Sequence, residues 1–496
     1  MNRALALVVL LAACGDNLAP PPRADCSAYA PPPTGLGLDA AREAHRRAAL
    51  RQHLRYREAL EPGYVMRETR LVADQARIDR GEVCAQELYE VGRILFEHDF
   101  TFADGLATSD AAPFHRVQRG RAGGPETTSC TSCHWRSGPG GAGAFPDNAY
   151  LLGDGDRISS ADARNPPSLI GAGVVQALAD EMTAELAQLR ADAIARGRAT
   201  EVELVTKGIS FGTLHVDARG NVSTDDVRGI DRDLVVRPFG WKGTARTITE
   251  LVTEAAAAHL GVQSEDAALV EDPLELGGGP PEDPDGDGIA DELTSGQATA
   301  LAVYVASLEL PINAPFESPD DLAHPAGPTQ PYLVDEWARG RVILEQIGCT
   351  GCHTPSLPLA RTVVAITSPL TAGSVMVDLA NGTEAPRVAR DAATGTYNAF
   401  VYSDFKRHDL GGENASQHVH GGIATRFYLT RRLWGVGETA PYFHDGASVT
   451  LDDAIGRHHG EAEASRLAWT QLPREDRDAL RVFLTSLRRA PRLVVP

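Results

Sequence analysis

Two short motifs constrain this chain more than anything else in it: Cys130-Thr131-Ser132-Cys133-His134 and Cys349-Thr350-Gly351-Cys352-His353. Paired thiols two residues apart with His adjoining are the arrangement that holds c-type haem. The sulfurs add across the vinyl groups, and the imidazole takes iron from the proximal side. With 7 Cys and 15 His among 496 residues, chance gives about 0.003 such motifs. The competing reading is a redox or zinc Cys pair that merely precedes His. A thioredoxin-like site needs no His there, and zinc needs a second ligand pair close by. The motifs therefore predict two covalently bound haem c groups. The expected fold class is mainly α: two cytochrome c-like haem domains, with a small β insertion in the first.

The remaining cysteines bear on compartment. Arg3, the apolar run Ala4 to Ala13 and the box Leu11-Ala12-Ala13-Cys14 read as a lipoprotein signal with Cys14 as the lipidated residue. An ordinary signal peptide with an incidental Cys is the alternative. The run is too short to span a bilayer, and no other long apolar run occurs. The expected location is the periplasmic side of a bacterial membrane, held there by the lipid. Cys26 and Cys84 are left over, either a disulfide or two free thiols.

Periodicity and punctuation divide the rest. Residues 1–13 are the signal, 14–38 a Pro-rich tether and 39–87 a helical extension whose residues 39–61 form a surface helix. Residues 88–315 are the first haem domain, opened by a helix from Leu88 to Phe96 that carries Gly92. Helices are expected at Val175–Arg198, Thr247–Leu260 and Thr294–Leu310. Glu203 to Val236 alternates around the turn signal Arg219-Gly220-Asn221 and forms the β insertion. Residues 316–331 are a Pro/Asp-rich linker, and 332–496 the second haem domain. In that domain a helix from Trp337 to Ile347 runs into Cys349, and a helix from Pro473 to Leu487 closes it. A net charge of −20 argues against nucleic acid and suits a basic electron-transfer partner, such as a small cytochrome or cupredoxin.

A set of ordered segments resembles a known family. They are Arg164-Asn165-Pro166-Pro167-Ser168-Leu169-Ile170-Gly171, Phe239-Gly240-Trp241-Lys242, Tyr402-Ser403-Asp404 leading to His408-Asp409-Leu410-Gly411, and Leu433-Trp434-Gly435. Tyr442-Phe443-His444-Asp445-Gly446, Thr450-Leu451-Asp452-Asp453-Ala454-Ile455 and His458-His459-Gly460-Glu461-Ala462 follow. Over roughly residues 88–490 the chain resembles the bacterial di-haem cytochrome c peroxidase and MauG superfamily, and more closely its di-haem oxidoreductases sometimes labelled thiol oxidoreductases.

The resemblance implies roles for named residues. The C-terminal haem's sixth ligand falls at His458 where the peroxidases have Met and MauG has Tyr; His459 and Met376 are the alternatives. His353 and His458 would then make a low-spin, electron-transferring haem. The N-terminal haem, on His134, would be the reactive one. Phe145 to Asn165 lacks the His that caps it in the peroxidases, and His98 and His115 are more readily ordinary loop residues. Trp241 matches the tryptophan between the haems. Leu251 stands where the peroxidases have Gln, so Glu250, Glu254 or His259 would do the acid–base work on peroxide. A non-catalytic electron carrier and a MauG-like oxidase of a partner protein are the rival functions.

Asp283, Asp285, Asp287 and Asp291 space carboxylates as in a calcium loop with Gly288 at the turn, but Thr294 stands where the bidentate acid belongs. This is either Ca2+ or a solvated acidic turn. Lys406-Arg407-His408 and His418-Val419-His420 could meet haem propionates or be plain surface, and His444 reads as a hydrogen-bonding structural residue.

Overall fold

The computed structural model describes residues 38–106, 126–153, 158–265, 291–313 and 333–489, apart from 369, 372, 383, 385, 392 and 393. The signal and tether with Cys14 and Cys26, His115, the linker, and Asp283, Asp285 and Asp287 lie outside them. Helices dominate, and the described strands make one three-stranded sheet and several two-stranded ones.

The same helix crossing is built twice. Helix α4 (Ala85–Glu97) turns Leu88, Val91, Gly92, Leu95 and Phe96 inward, an apolar stripe at helical spacing. It crosses the wholly buried α8 (Ser295–Ala306) at Gly92, where an added Cβ would lie within 3.0 Å of the Ala300 carbonyl. In the second half α9 (Leu333–Gln346) crosses α12 (Arg474–Ser486), and Gly340 meets the Ala479 carbonyl just as closely. Ile343 and Leu344 pack there with Leu480, Phe483 and Leu484. A crossing this close admits only hydrogen at the contact, so the glycines serve packing. In each half the first helix of the pair leads toward a Cys-x-x-Cys-His motif.

The expected helices form with ends shifted by a few residues: α1 at Leu38–Leu60, α6 at Ala172–Ala195 and α7 at Ile248–Leu260. Two short helices were not anticipated, α2 (Tyr64–Val72) and α3 (Gln75–Asp79). The β insertion is an antiparallel meander of Thr200–Thr206, Ile209–Val216 and Val222–Val227. At the anticipated turn the Asp217 carboxylate accepts the N–H groups of Arg219 and Asn221, both at 2.8 Å. The other hairpin turns on Lys207 and Gly208, both at positive φ (49° and 81°). That conformation favours glycine or asparagine, so Lys207 concealed it.

The segment after the second haem motif also holds more strand than expected. Val363–Thr367 pairs antiparallel with Ser374–Asp378. Their inward residues Val364, Ile366, Val375 and Val377 join the core formed by Leu178, Met182 and the first-half helices, as do Leu357, Leu359 and Val401. A smaller separate core lies between α9 and α12. Chain order and core membership therefore part company, because the stretch from Leu357 to Val401 returns to cover the first half.

Cys84 is disulfide-bonded. No described helix is long and apolar enough to cross a membrane. Thr294 is not a free ligand: its hydroxyl caps α8 by accepting the Gln297 N–H, while Asp291, at the described edge of the acidic loop, is exposed.

Candidate haem sites and the wall between them

Each Cys-x-x-Cys-His motif faces its own cavity. The first, about 280 Å³, is lined by Cys130, Cys133 and His134 together with apolar residues such as Phe96, Leu169, Leu260 and Leu301. The second, about 470 Å³, is lined by Cys349, Cys352 and His353 with Leu344, Leu433, Ile455 and Leu480.

The three key histidines are aimed alike. His134 Nδ1 donates to the Gly141 carbonyl at 3.1 Å, and His353 Nδ1 donates to the Tyr402 carbonyl at 3.0 Å. His458 Nδ1 donates to the Ala454 carbonyl at 2.8 Å. A carbonyl can only accept, so the proton sits on Nδ1 and the Nε2 lone pair is left for a metal. Burial pushes His134 and His458 down to about 4, and it lowers His353 as well, so the rings stay neutral as a ligand requires.

The local sequence explains the pose of His458. Thr450 caps α10 (Leu451–Gly456), with Asp453 answering it. The helix ends after barely two turns, and its Ala454 carbonyl, which also accepts the Arg457 N–H, catches the imidazole. Arg457 ties this corner to the Phe-His-Asp-Gly turn by two bonds of 2.9 Å to the Asp445 carboxylate.

These residues fit haem. The rings of His353 and His458 have centroids 6.4 Å apart and planes tilted by 55°. A metal–imidazole bond is about 2 Å and the ring centre lies about 1 Å beyond, so two rings on one iron stand roughly 6 Å apart. No imidazole faces His134 at comparable distance among the described residues. The zinc reading of the cysteine pairs finds no support. Among the described residues, no group of side chains close enough to hold one metal ion contains both cysteines of either pair. Cys352 does cluster with Asp404 and His408, but those two already bond each other at 2.9 Å.

Trp241 belongs to both cavities, as do Asn165, Pro166, Pro167, Ser168, Arg431 and Arg432. Trp241 Nε1 donates to the Asn165 carbonyl at 2.8 Å, and Arg431 sits over its ring at 4.9 Å. Next to it, burial pushes the Lys242 amine down to about 7; the amine donates to the Ala424 and Thr425 carbonyls. Two of the family-like segments, 164–171 and 239–242, thus meet in one partition, and residues of the others, among them Leu433, Tyr442 and His458, line the second cavity. Sequence reasoning missed Arg431 and Arg432; their signal was two adjacent basic residues just before Leu433-Trp434-Gly435.

Other expected residues sort by position. Glu254 and His259 line the first cavity, and His259 Nδ1 donates to the Glu126 carboxylate at 2.8 Å. Glu250 does not line it: its carboxylate accepts the Arg246 and Thr247 N–H groups and caps α7, which corrects its expected place among the acid–base candidates. His459 bonds Glu463 and lines neither cavity, and Met376 is 54% exposed on an outward strand position. His98 is buried against Asp104. Lys406 donates to the Ser210 carbonyl and Arg407 to Asp231, so neither reaches a cavity, whereas His408 lines the second and His420 the first. His444, expected to be a hydrogen-bonding structural residue, stacks on Tyr428 at 4.3 Å, bonds the Asn414 carbonyl and also lines the second cavity. Gln176 links the Ile248 N–H to the Ala365 carbonyl and pins α6 to α7.

No curated protein matches the chain. Residues 320–487 match the family model described as "di-haem oxidoreductase, putative peroxidase", and over that stretch the match bears out the resemblance drawn from the sequence and supports a di-haem oxidoreductase.

Proposed function

We propose that the chain is an exported c-type di-haem peroxidase-like oxidoreductase. A haem between His353 and His458 passes electrons by way of Trp241 to a haem on His134. The single observation that carries this reading is the inequality of the two cavities. One has a second imidazole 6.4 Å from its proximal histidine, and the other has none so placed among the described residues. Two strong axial ligands suit electron transfer, whereas an open position admits a small oxidant.

When bound at the first site, haem would supply the redox chemistry of peroxide reduction. The chain's own part is to hold the iron-binding nitrogen and to handle protons. Reducing hydrogen peroxide to two waters takes two electrons and two protons. Glu126 orients His259 through Nδ1, leaving Nε2 to accept and return a proton at the cavity wall, which Glu254 also lines. Trp241 bridges the partition, where an indole can relay an electron.

The electron donor would be a small basic redox protein meeting an acidic surface. Export is supported by the Leu11-Ala12-Ala13-Cys14 box and by the disulfide at Cys84, which needs an oxidising compartment. Calcium at Asp283, Asp285, Asp287 and Asp291 stays a proposal from spacing alone.

The test is a ferric absorption spectrum of purified protein with and without peroxide, after a pyridine haemochrome assay for covalent haem. One high-spin haem that reacts, beside one low-spin haem that does not, is the expected result. Two low-spin, unreactive haems would favour the plain electron carrier.

A further inference from the structure

Arg431 and Arg432 differ from several other interior arginines of this protein. Arg164, Arg457 and Arg489 each lie against a carboxylate, Asp162, Asp445 and Glu309 respectively. Arg431 and Arg432 have no carboxylate partner among the described residues. Arg431 donates to the Gly240 carbonyl at 3.3 Å, and Arg432 to the Ser168 carbonyl. Both line both cavities.

A guanidinium carries five N–H donors, so each has most of its hydrogen-bonding capacity left over. Two adjacent cations that line two mostly apolar cavities, with no carboxylate partner among the described residues, suit anions placed in those cavities. Haem brings its own, since each carries two propionate carboxylates, and the guanidinium fork matches a carboxylate bidentately.

We infer that Arg431 and Arg432 form one shared anion site that receives propionates from both haems and sets the two haem potentials together. The inference rests on the di-haem reading above. Arg431 also lies over Trp241, so the same pair borders the electron route. A positive charge beside haem favours the reduced state, which holds one more electron. Removing the charge therefore lowers the midpoint potential.

The experiment is spectroelectrochemical titration of the holoprotein and of Arg431→Gln and Arg432→Gln. Each substitution is expected to shift both midpoints downward. Arg426→Gln, at an exposed arginine paired with Asp409, leaves both in place. Midpoints that do not move, or a shift confined to one haem, would overturn the shared site. If the glutamine variants do not accumulate, the Arg→Lys pair serves. Lysine keeps the charge but not the fork, so the propionate bending bands in resonance Raman should shift while the midpoints stay near wild type; unmoved bands refute the contact. A wild-type protein without two haems by pyridine haemochrome would instead remove the di-haem reading itself.

Discussion

Substituting Gly340→Ala tests the helix crossing on which the C-terminal site is built. A Cβ at Gly340 would fall within 3.0 Å of the Ala479 carbonyl oxygen and of the Phe483 Cβ. Neither is the tip of a flexible side chain, so α9 and α12 must separate by about 1 Å to accept it. A gap of that size forfeits a quarter to a half of each dispersion contact across it. The contacts at stake join Ile343 and Leu344 to Leu480, Phe483 and Leu484, all buried. Overpacking of this kind costs about 3 kcal/mol, the upper part of the usual range, because backbone rather than side chain is in the way. Alanine's better helix propensity returns about 1 kcal/mol. The net expectation is a loss of about 2 kcal/mol. Guanidinium unfolding, followed in parallel by far-ultraviolet circular dichroism and by the Soret band, measures it. Gly456→Ala is the matched control: it also sits in a helix, but nothing lies within 4 Å of its added Cβ, and it should be neutral or mildly stabilising. A Gly340→Ala protein as stable as the Gly456→Ala one would refute the close crossing.

Replacing His458 with Ala should convert one haem from low-spin to high-spin in the ferric spectrum, and an unaltered spectrum would remove His458 as a ligand. Trp241→Phe keeps an aromatic ring but loses the pyrrole half of the indole and with it the 2.8 Å bond to the Asn165 carbonyl. It should slow inter-haem transfer and cost about 1 kcal/mol in thermal unfolding, and transfer at the wild-type rate would end the relay role. Asp104 governs part of the acid sensitivity. Burial alone would raise its carboxyl, but donation from His98 and Thr101 outweighs this and leaves it below the usual value. Its stabilisation is therefore complete above the unfolded pKa of about 4 and is lost as pH falls through the lower folded value. Asp104→Asn should lower stability at neutral pH and flatten the acid limb of the stability–pH curve; an acid limb identical to wild type would refute it.

Local chemistry was legible from the sequence where it is local. The Cys-x-x-Cys-His motifs, the turn at Asp217–Asn221, and the long helices α1, α6 and α7 are set by neighbours within a few residues. So is the cap at Thr450 that leads to His458. The turn at Lys207 escaped because its conformation is imposed by the strands on either side rather than by its own preference. Glu250 looked as good an acid as Glu254 because they share a helix. Only the turn that each occupies decided that one caps α7 and the other meets the cavity.

The partition between the cavities is the clearest case of what folding alone decides. Asn165, Trp241 and Arg431 are far apart in the chain, and nothing in their immediate sequence says that they touch. The amino-acid order specified two Cys-x-x-Cys-His motifs and the helices beside them. Tertiary packing decided that the two cavities share a wall, that a second imidazole lies near His353, and that two arginines in that wall have no carboxylate partner among the described residues. Those outcomes depend on distances between segments, which close packing sets and which no short stretch of chain contains.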